Sequence, residues 1–423
     1  MSRSILLVAY FYPPCRDTGI LRPVSMARWL RRLGHRVTVL TTSAYGELET
    51  DAEEPVVRTA DAQRWRARLA GAETVGALFD SDTYSGKPHP LSKVIVPEPL
   101  AVAWAPFARR RALALHRRER FDCVITTSPP ESAHAVGRAL RRRGVPWIAD
   151  VRDAWTFEPL RPAFPTGAQR RLDEALERRW LGAADAVVCV SEPAAADLRR
   201  RGIADPVVIT NGWDPEAVPP AGEPTGLLDP DRFTVLYTGR FGSYGRDPTA
   251  LVEGIARLAR QRPEVAQQLE LAIAGPLTEA EAELFGRDVS PAKITRIGSL
   301  PRERALALQR EADALLLIAH PERSQLLNIK LFEYLAAGRP LLALAAGTEG
   351  GRIVEELGGA TVPAGDAAAI AEALERAVAG GLEPPASDAV ADFTYPAPAE
   401  RMAAVVERAI GRNRQLTGDR DQN

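Results

Sequence analysis

Short apolar segments alternate with helical stretches along almost the whole chain of 423 residues. In the first half these segments are Ser4–Phe11, Arg36–Thr42, Cys123–Ser128, Trp147–Val151, Ala186–Ser191 and Val207–Thr210. They are rich in β-branched residues and apolar on both faces, which predicts strands of a parallel sheet covered by helices. Helical stretches lie between them, such as Ile20–Gly34, which a glycine closes.

The alternation stops once and then starts again. Residues 211–232 are rich in Pro, Gly and Asp and lack periodicity, which indicates a linker or hinge. Six further strands are predicted after it, at Phe233–Gly239, Leu269–Gly275, Ile294–Ser299, Ala312–Ala319, Arg339–Ala345 and Gly359–Gly365. We therefore expect an α/β protein with two doubly wound, Rossmann-like domains facing a cleft.

The break also predicts the domain bounds. We expect an N-terminal domain at residues 1–210, the hinge at 211–232 and a C-terminal domain at 233–392. A last helix at 397–412 follows a proline-bounded segment, and we expect it to pack back on the first domain. Residues 45–104 are polar and interrupted by Pro and Gly, which predicts a partly ordered excursion near the cleft.

Composition excludes several classes of protein. The net charge of −1 gives no bulk attraction to nucleic acid. The sequence shows neither a secretory signal nor an apolar run long enough to cross a bilayer. Cys15, Cys123 and Cys189 are far apart, without metal-binding spacing, which is typical of a reducing cytosol. We therefore expect a cytoplasmic protein.

An arginine-rich helix is predicted at residues 106–122. One interpretation is an ordinary solvated helix face. The other is a patch that contacts anionic lipid, at the inner face of a membrane, or an anionic acceptor. The sequence alone leaves both open.

Several motifs follow the predicted strands, where open parallel sheets bind ligands. Gly19 stands near the helix start after the first strand, where backbone N–H groups could approach a phosphate, and the alternative is a plain turn. Arg240 and Arg246 flank a glycine-rich turn after the first strand of the second domain, and two guanidinium groups suit a pyrophosphate. The chain contains neither GxGxxG nor GxxxxGK[ST], which argues against a nicotinamide dehydrogenase and an NTPase.

The stretch "NIKLFEYLAAGRP" predicts a helix that begins near Asn328. Lys330 adds a cation to the first turn, which disfavours helix stability but favours anion binding. Glu333 lies one turn further, where its carboxylate could accept hydrogen bonds from sugar hydroxyls. The alternative is an i,i+3 surface pair worth about 0.2–0.5 kcal/mol.

These motifs together resemble the GT-B glycosyltransferases of the large retaining family 4, over almost the full chain. The matching stretches are "YFYPP", "SPPESAHAVGRAL", "ADVRDAW", "VVCVSEPAAADLRRRG", "ITNGWDPE", "YTGRFGSYGRD" and "KLFEYLAAGRPLLAL". The double proline and "ADVRDAW" most resemble the subgroup that builds surface polysaccharides, including amino-sugar transferases. The resemblance implies a hexosyltransferase with a nucleotide-sugar donor, and the arginine- and alanine-rich composition indicates a GC-rich bacterial source.

The resemblance also implies roles for residues of the donor side. Arg240 and Arg246 would hold the donor diphosphate, with an arginine in place of the family's usual lysine. Glu333 matches the second glutamate of the family's E-x7-E pattern and would bind the ribose. The first glutamate falls at Gln325, which leaves the contact to the donor sugar in doubt.

Three further residues belong to this predicted donor site. Lys330 matches a lysine of the surface-polysaccharide subgroup, and Asn328 lies at the same helix start. Gly19 resembles the glycine that lets the first-domain loop approach the donor phosphate.

On the acceptor side we expect contacts from Arg22, His134, Arg152 and Asp153. A general base needs a histidine or carboxylate within reach of the acceptor hydroxyl, which suggests His134 or Asp153. The alternatives are a helix-packing histidine and an N-capping or arginine-paired aspartate. Catalysis would then depend on Arg240 and Lys330 together with these two residues.

The expected reaction is transfer of a sugar, with retention, from a UDP- or GDP-linked donor to a hydroxyl of a saccharide, lipid-linked or small-molecule acceptor. No metal or other cofactor is expected, because the Asp-x-Asp strings at residues 80–82 and 229–231 lie in irregular segments and read as turns. The alternatives are a nucleotide-sugar epimerase on the same fold, an inactive transferase-like partner protein and a two-lobed solute-binding protein.

Overall fold

The computed structural model describes most of the chain. The described residues are 1–15, 18–46, 55–62, 64, 95–98, 101–156, 164–217, 224–242, 246–319, 327 and 329–418. The chain divides into two compact units. Unit 1 comprises Met1–Thr210 and Pro396–Asn423, and unit 2 comprises Asn211–Tyr395. The segment with hinge-like composition therefore belongs to unit 2, and the C-terminal helix belongs to unit 1.

Unit 1 contains a parallel sheet of seven strands in the order β3-β2-β1-β4-β5-β6-β7. The strands are β1 Ser4–Ala9, β2 Arg36–Thr42, β3 Val56–Thr59, β4 Cys123–Ser128, β5 Trp147–Val151, β6 Ala186–Cys189 and β7 Val207–Val208. Strand β1 is central, and its Leu6 pairs with Thr38 on one side and Val124 on the other. Every residue of β1, β4 and β5 is buried, as the two-sided apolar pattern predicts.

Helices flank this sheet. They are α1 Leu21–Arg32, α2 Ala105–Glu119, α3 His134–Arg141, α4 Gly167–Leu181 and α5 Glu192–Arg200, with short 3₁₀ turns at Thr18–Ile20 and Glu131–Ala133. Helices α4 and α5 begin where the side chains of Thr166 and Ser191 accept hydrogen bonds from backbone N–H groups of the first turn.

Unit 2 contains a second parallel sheet, of six strands in the order β10-β9-β8-β11-β12-β13. The strands are β8 Phe233–Thr238, β9 Leu269–Ala274, β10 Lys293–Arg296, β11 Ala314–Ile318, β12 Leu341–Leu344 and β13 Ala360–Val362. Its helices are α6 Thr249–Gln261, α7 Pro263–Ala266, α8 Glu279–Leu284, α9 Arg302–Glu311, α10 Ile329–Ala337, α11 Glu349–Glu356, α12 Ala367–Val378 and α13 Ser387–Ala391, with a 3₁₀ turn at Pro215–Ala217. Two apolar clusters cover the two faces of this sheet.

The last helix, α14 (Ala397–Gly418), packs on α1, β4 and β5 of unit 1. It buries an apolar stripe that includes Met402 and Val406. Glu407 accepts two hydrogen bonds from Arg3 at 2.6 and 2.7 Å, which joins the first and last segments of the unit.

Both sheets have the doubly wound arrangement that the alternating pattern predicts, and the expectation of a GT-B-type α/β protein is confirmed. The strand order reverses between β1 and β4 in unit 1 and between β8 and β11 in unit 2. Open α/β sheets bind ligands beyond the carboxyl ends of the strands at such points. We therefore expect the candidate residues at the carboxyl-end edge of each sheet, close to the point where its strand order reverses.

Candidate active site

The carboxyl end of β8 closely approaches the first turn of α10. Gly239 follows β8 with φ of +119°, and a Cβ atom there would lie only 2.1 Å from Nζ of Lys330. The carbonyl oxygen of Gly239 would in turn lie 2.0 Å from a Cβ at Gly275, which follows β9. Only glycine fits at both positions. The two glycines thus bring the Lys330 ammonium group against the backbone at the end of β8.

Lys330 lies in a cationic environment. Its side chain is half-buried, and burial lowers its pKa, with the nearby Arg246 guanidinium lowering it further and Glu333 opposing both. A charged lysine beside a second cation is unfavourable on its own, and an anion bound between them would remove the repulsion. The N-terminus of α10 adds the positive end of the helix dipole.

The loop after β8 carries the two predicted arginines. The Arg240 carbonyl oxygen accepts hydrogen bonds from the Tyr237 hydroxyl at 2.7 Å and from Arg246 Nη1 at 3.0 Å. Arg246 therefore folds back over the turn, while the Arg240 side chain is exposed. The structure brings the loop that carries Arg240 together with Arg246 and Lys330 at one edge of unit 2.

Glu333 lies one turn along α10 from Lys330 and has a partner that the sequence reasoning missed. Nη2 of Arg302, at the start of α9, donates to Oε1 of Glu333 at 3.0 Å. The two residues are thirty-one positions apart, and Arg302 stands among several arginines without a motif. No local signal could have identified it; only the packing of α9 against α10 brings the two together.

Helix α10 is fixed to β8 by a buried polar contact. The Tyr334 hydroxyl accepts a hydrogen bond from the Thr238 backbone N–H at 3.0 Å. Gln309 of α9 donates to the Thr238 hydroxyl at 3.0 Å. These contacts hold the start of α10 in place beside the end of β8. Two other candidates, Gln325 and Asn328, fall outside the residues that the structure describes.

Arg152 of unit 1 is buried and contacts backbone. Its guanidinium donates to the carbonyl oxygens of Ser128 at 3.1 Å, Pro129 at 3.0 Å and Gly19. It therefore links the loop after β1 to the loop after β4, at the point where the strand order reverses. Three guanidinium N–H groups therefore bind the protein's own backbone, and the predicted contact of Arg152 to the acceptor stays a prediction.

Arg22 is also buried, and its predicted role at the acceptor stays a prediction. It forms a two-point ion pair with Asp150 at 2.7 and 3.1 Å, and its third group donates to the Thr210 carbonyl at 2.8 Å. Burial favours the neutral acid, but Arg22 outweighs it and lowers the pKa of Asp150. Thr127 completes the network with a hydrogen bond to Asp150 at 2.9 Å. Arg22 thus anchors the last residue before unit 2.

His134 lies inside unit 1 with no exposed surface. Its Nδ1 is 2.8 Å from the Thr126 hydroxyl and its Nε2 is 2.9 Å from the Ser128 hydroxyl. Burial lowers its pKa to about 4, against a weak opposing effect of Asp150. Both nitrogens are occupied and neither is accessible, so the geometry favours the helix-packing alternative over a general base.

The remaining predicted residues of unit 1 lie at its ligand-binding edge. Asp153 is exposed just beyond the carboxyl end of β5. Gly19 is half-buried in the 3₁₀ turn before α1, and its carbonyl is held by Arg152. Asp153 is therefore the predicted acceptor residue whose side chain reaches solvent at this edge.

In the part of the chain that the structure describes, no group of three or more His, Cys, Asp and Glu side chains is arranged so that it could hold a metal ion. Asp229 accepts hydrogen bonds from the Asp231 backbone at 3.1 Å and from Lys293 at 2.8 Å, as in an ordinary turn. The residues at 80–82 lie outside the described ranges. Across the described helices, none is both long and apolar enough to cross a membrane.

Solved structures with similar folds cover nearly all of the chain. The sucrose-phosphate synthase from Thermosynechococcus elongatus is 18% identical with a TM-score of 0.61, covering 99% of this chain and all of that one. An α,α-trehalose-phosphate synthase (UDP-forming) from Burkholderia vietnamiensis is 16% identical with a TM-score of 0.63, covering 97% of this chain and all of that one. At these identities the likeness shows the fold. The search of curated proteins gave no match.

Two family models match consecutive parts of the sequence. The glycosyl transferase 4-like domain matches residues 22–212, and the glycosyl transferases group 1 model matches residues 232–379. Together they cover about four fifths of the chain, and each falls almost entirely within one structural unit. The prediction of a glycosyltransferase is thereby confirmed: the chain is a GT-B glycosyltransferase with a glycosyl transferase 4-like N-terminal domain and a group 1 C-terminal domain.

Proposed function

We propose that the protein transfers a sugar, with retention, from a nucleoside-diphosphate sugar to a hydroxyl acceptor, in the synthesis of a surface polysaccharide, a glycoconjugate or a secondary metabolite. The observation that carries the proposal is the placement of Lys330 against Gly239, beside Arg246 and the N-terminus of α10. In this proposal a diphosphate binds beside these cations and offsets the repulsion between them.

The donor diphosphate is bound by Lys330, Arg246 and Arg240 in this proposal. Arg240 is exposed and stands on the same loop as Arg246, so it can reach a second phosphate. As the bond between the sugar and the diphosphate breaks, negative charge grows on the leaving phosphate. The three cations stabilise that charge, which is electrostatic stabilisation of the transition state.

The nucleoside is bound by Glu333. Arg302 donates a hydrogen bond to Oε1 of its carboxylate, and in this proposal Oε2 accepts one from a ribose hydroxyl. One similar structure is described as UDP-forming, and another, from E. coli, 14% identical with a TM-score of 0.54, as bound with UDP-2-fluoro glucose. These descriptions support a UDP-linked donor over a GDP-linked one.

The acceptor is bound at unit 1. Asp153 is our candidate for the contact to the acceptor hydroxyl, because it is exposed at the carboxyl edge of the sheet while His134 is enclosed. The leaving phosphate itself can take up the proton of the acceptor hydroxyl, so the proposal requires neither a protein nucleophile nor a metal ion.

The test is the thermal unfolding of the full chain with UDP, GDP, TDP and ADP, on the wild type, Arg240→Ala and a matched control. Arg260→Ala is that control, because Arg260 is an exposed arginine on α6 of the same unit. We expect one nucleotide to raise the unfolding temperature of the wild type and control but not of Arg240→Ala. A shift that survives in Arg240→Ala, or no shift with any nucleotide, would contradict the proposed donor site.

A further inference from the structure

Three neighbouring helices of unit 1 carry an excess of arginine. All five arginines of α2 are exposed, and the helix has one acidic residue, Glu119, at its end. Helix α3 and the turn that follows it, residues 134–143, contain four arginines and no acidic residue. Helix α3 packs on α2 and on α4. The three helices therefore form one layer over the sheet.

The charges of α4 are divided between its two faces. Asp173 and Glu177 are buried; the Trp155 indole N–H donates to Asp173 at 2.9 Å, and the Thr156 backbone N–H donates to Glu177 at 3.3 Å. The arginines of α4, such as Arg179, are exposed instead. Asp173 and Glu177 thus face the protein interior, whereas Glu174 is half-buried beside Arg170. With four exposed arginines, the solvent face of α4 is predominantly basic.

Arginines of α3 and α4 also lie close to one another. The pKa of Arg138 is lowered by burial and then by Arg142 and Arg179. Over the described ranges, none of these three side chains has an ion pair, whereas the neighbouring Arg141 pairs with Asp185 at 2.6 Å. Like charges close to one another repel, so an external anion would stabilise the cluster.

Large apolar side chains are exposed in the same layer. Phe107, in the first turn of α2, is 47% exposed, and Leu172 of α4 is 52% exposed. Elsewhere in the described parts of the chain, only Met1 and Leu33 are comparably exposed among large hydrophobic residues. Arginines alone would suit any polyanion, but exposed Phe and Leu side chains on the same helices suit the boundary between lipid headgroups and acyl chains.

We propose that the outer face of α2, α3 and α4, which we call the arginine face, docks on an anionic lipid bilayer. The arginines contact headgroup phosphates, and Phe107 and Leu172 insert at the acyl boundary. The arginine face thus includes the patch expected at residues 106–122 and two further helices. It does not depend on which donor sugar the enzyme uses.

The experiment is flotation of the full chain with two kinds of vesicle, phosphatidylcholine alone and equal parts of phosphatidylcholine and phosphatidylglycerol. The test variant is Arg138→Gln/Arg142→Gln/Arg179→Gln. Its matched control, Arg257→Gln/Arg260→Gln/Arg287→Gln, removes three exposed arginines from unit 2. We expect the wild type and control to bind the mixed vesicles only, and less as salt concentration rises.

The size of the effect can be estimated. Each basic residue near an anionic leaflet contributes about 1 kcal/mol, or about a fivefold change in partition coefficient, so the test variant should bind about 100-fold less. A second variant, Phe107→Ser/Leu172→Ser, should weaken vesicle binding while leaving its salt dependence unchanged.

Three results would overturn the proposal. They are equal binding to both kinds of vesicle, undiminished binding by the test variant, and binding of the wild type to duplex DNA as tight as to mixed vesicles at the same ionic strength. The last result would identify a general polyanion site. Thermal unfolding of the same variants with nucleotides tests the donor site separately. It therefore distinguishes a failure of the proposed lipid binding from a failure of the proposed nucleotide binding.

Discussion

The shape of the proposed donor site depends on glycines that have no room for a side chain. Gly239 and Lys330 approach so closely that one added methyl group would overlap the ammonium. The sequence identified Lys330 from its place at a helix start, but it gave no reason to single out Gly239 or Gly275. Their role depends on contacts between segments that are distant in sequence, and such contacts are invisible without the fold.

The first prediction concerns Gly239→Ala. The added Cβ must displace Lys330, and the φ of +119° strains any residue other than glycine, so we expect a loss of about 1–2 kcal/mol of stability together with loss of nucleotide binding. Gly298→Ala is the control, since Gly298 has φ of +81° with nothing within 4 Å of a Cβ. Chemical denaturation and nucleotide titration measure the two effects. If both variants bind nucleotide equally, Lys330 does not contact the diphosphate.

The second prediction concerns Arg302, which orients Glu333. Arg302→Ala frees the carboxylate to rotate, so we expect about tenfold weaker binding of a ribonucleoside diphosphate, as for a lost charge-assisted hydrogen bond. Binding of the 2′,3′-dideoxy analogue should change little, because it lacks the hydroxyls that Glu333 would bind. Calorimetric titration measures both. Arg304→Ala, which alters an exposed arginine two residues away, is the control, and an equal loss for both nucleotides would assign Arg302 to general packing.

The third prediction concerns His134. Its pKa is about 4 in the folded protein and about 6.5 in the unfolded chain, so the unfolded state binds a proton first as the pH falls. We expect this group to remove about 3 kcal/mol of stability between pH 6.5 and 4, and His134→Gln to abolish that loss. Denaturation at a series of pH values measures it.

The same variant tests the assignment of His134 as a structural residue. Loss of a general base lowers turnover by about 10²–10⁴-fold. If His134 only packs inside unit 1, its replacement should alter turnover by less than about tenfold. Turnover of His134→Gln at neutral pH therefore decides between the two roles that the sequence left open.

At the scale of elements, Arg152 joins two loops that belong to different strands. The fourth prediction is that Arg152→Met destabilises unit 1 by about 3 kcal/mol, because three backbone carbonyl oxygens, in one buried and two part-buried hydrogen bonds, lose a charged donor. Arg152→Lys should recover little, since one ammonium cannot span all three. Hydrogen exchange should rise in residues 18–20 and 128–133. Arg143→Met, an exposed change on the same unit, should do neither.

The elements themselves were largely predictable from sequence. Of the thirteen strands in the described residues, twelve lie within or nearly within their predicted segments, because fully buried parallel strands produce continuous apolar runs. Strand β3 was missed: it has four residues, three of them half-buried, at the edge of the sheet. The roles of the side chains that follow the strands were harder to predict. Arginine is common in binding sites, but in the structure Arg22 and Arg152 make contacts within the protein.

At the scale of the whole molecule, the two units differ in how the chain builds them. Unit 2 is one continuous segment with its own apolar clusters on both sheet faces. Unit 1 is built from two segments, and the second is little more than α14. The side chains proposed to bind the diphosphate and the ribose all lie in unit 2, whereas Gly19, the predicted donor residue of unit 1, offers only its backbone. Nucleotide binding and the integrity of unit 1 can therefore be separated experimentally.

The last prediction is that a chain ending at Tyr395 unfolds in two steps. This chain lacks α14, and therefore also the buried side chains of Met402 and Val406 and the ion pair of Glu407 with Arg3. Unit 1 should therefore unfold well below its normal unfolding temperature. Unit 2 should keep its transition, and the nucleotide that stabilises the full chain should still raise that transition alone. Calorimetry with and without nucleotide measures both steps, and a control chain ending at Gly418 should behave as wild type. A single transition, or loss of the nucleotide effect, would show that unit 2 depends on unit 1 for its fold.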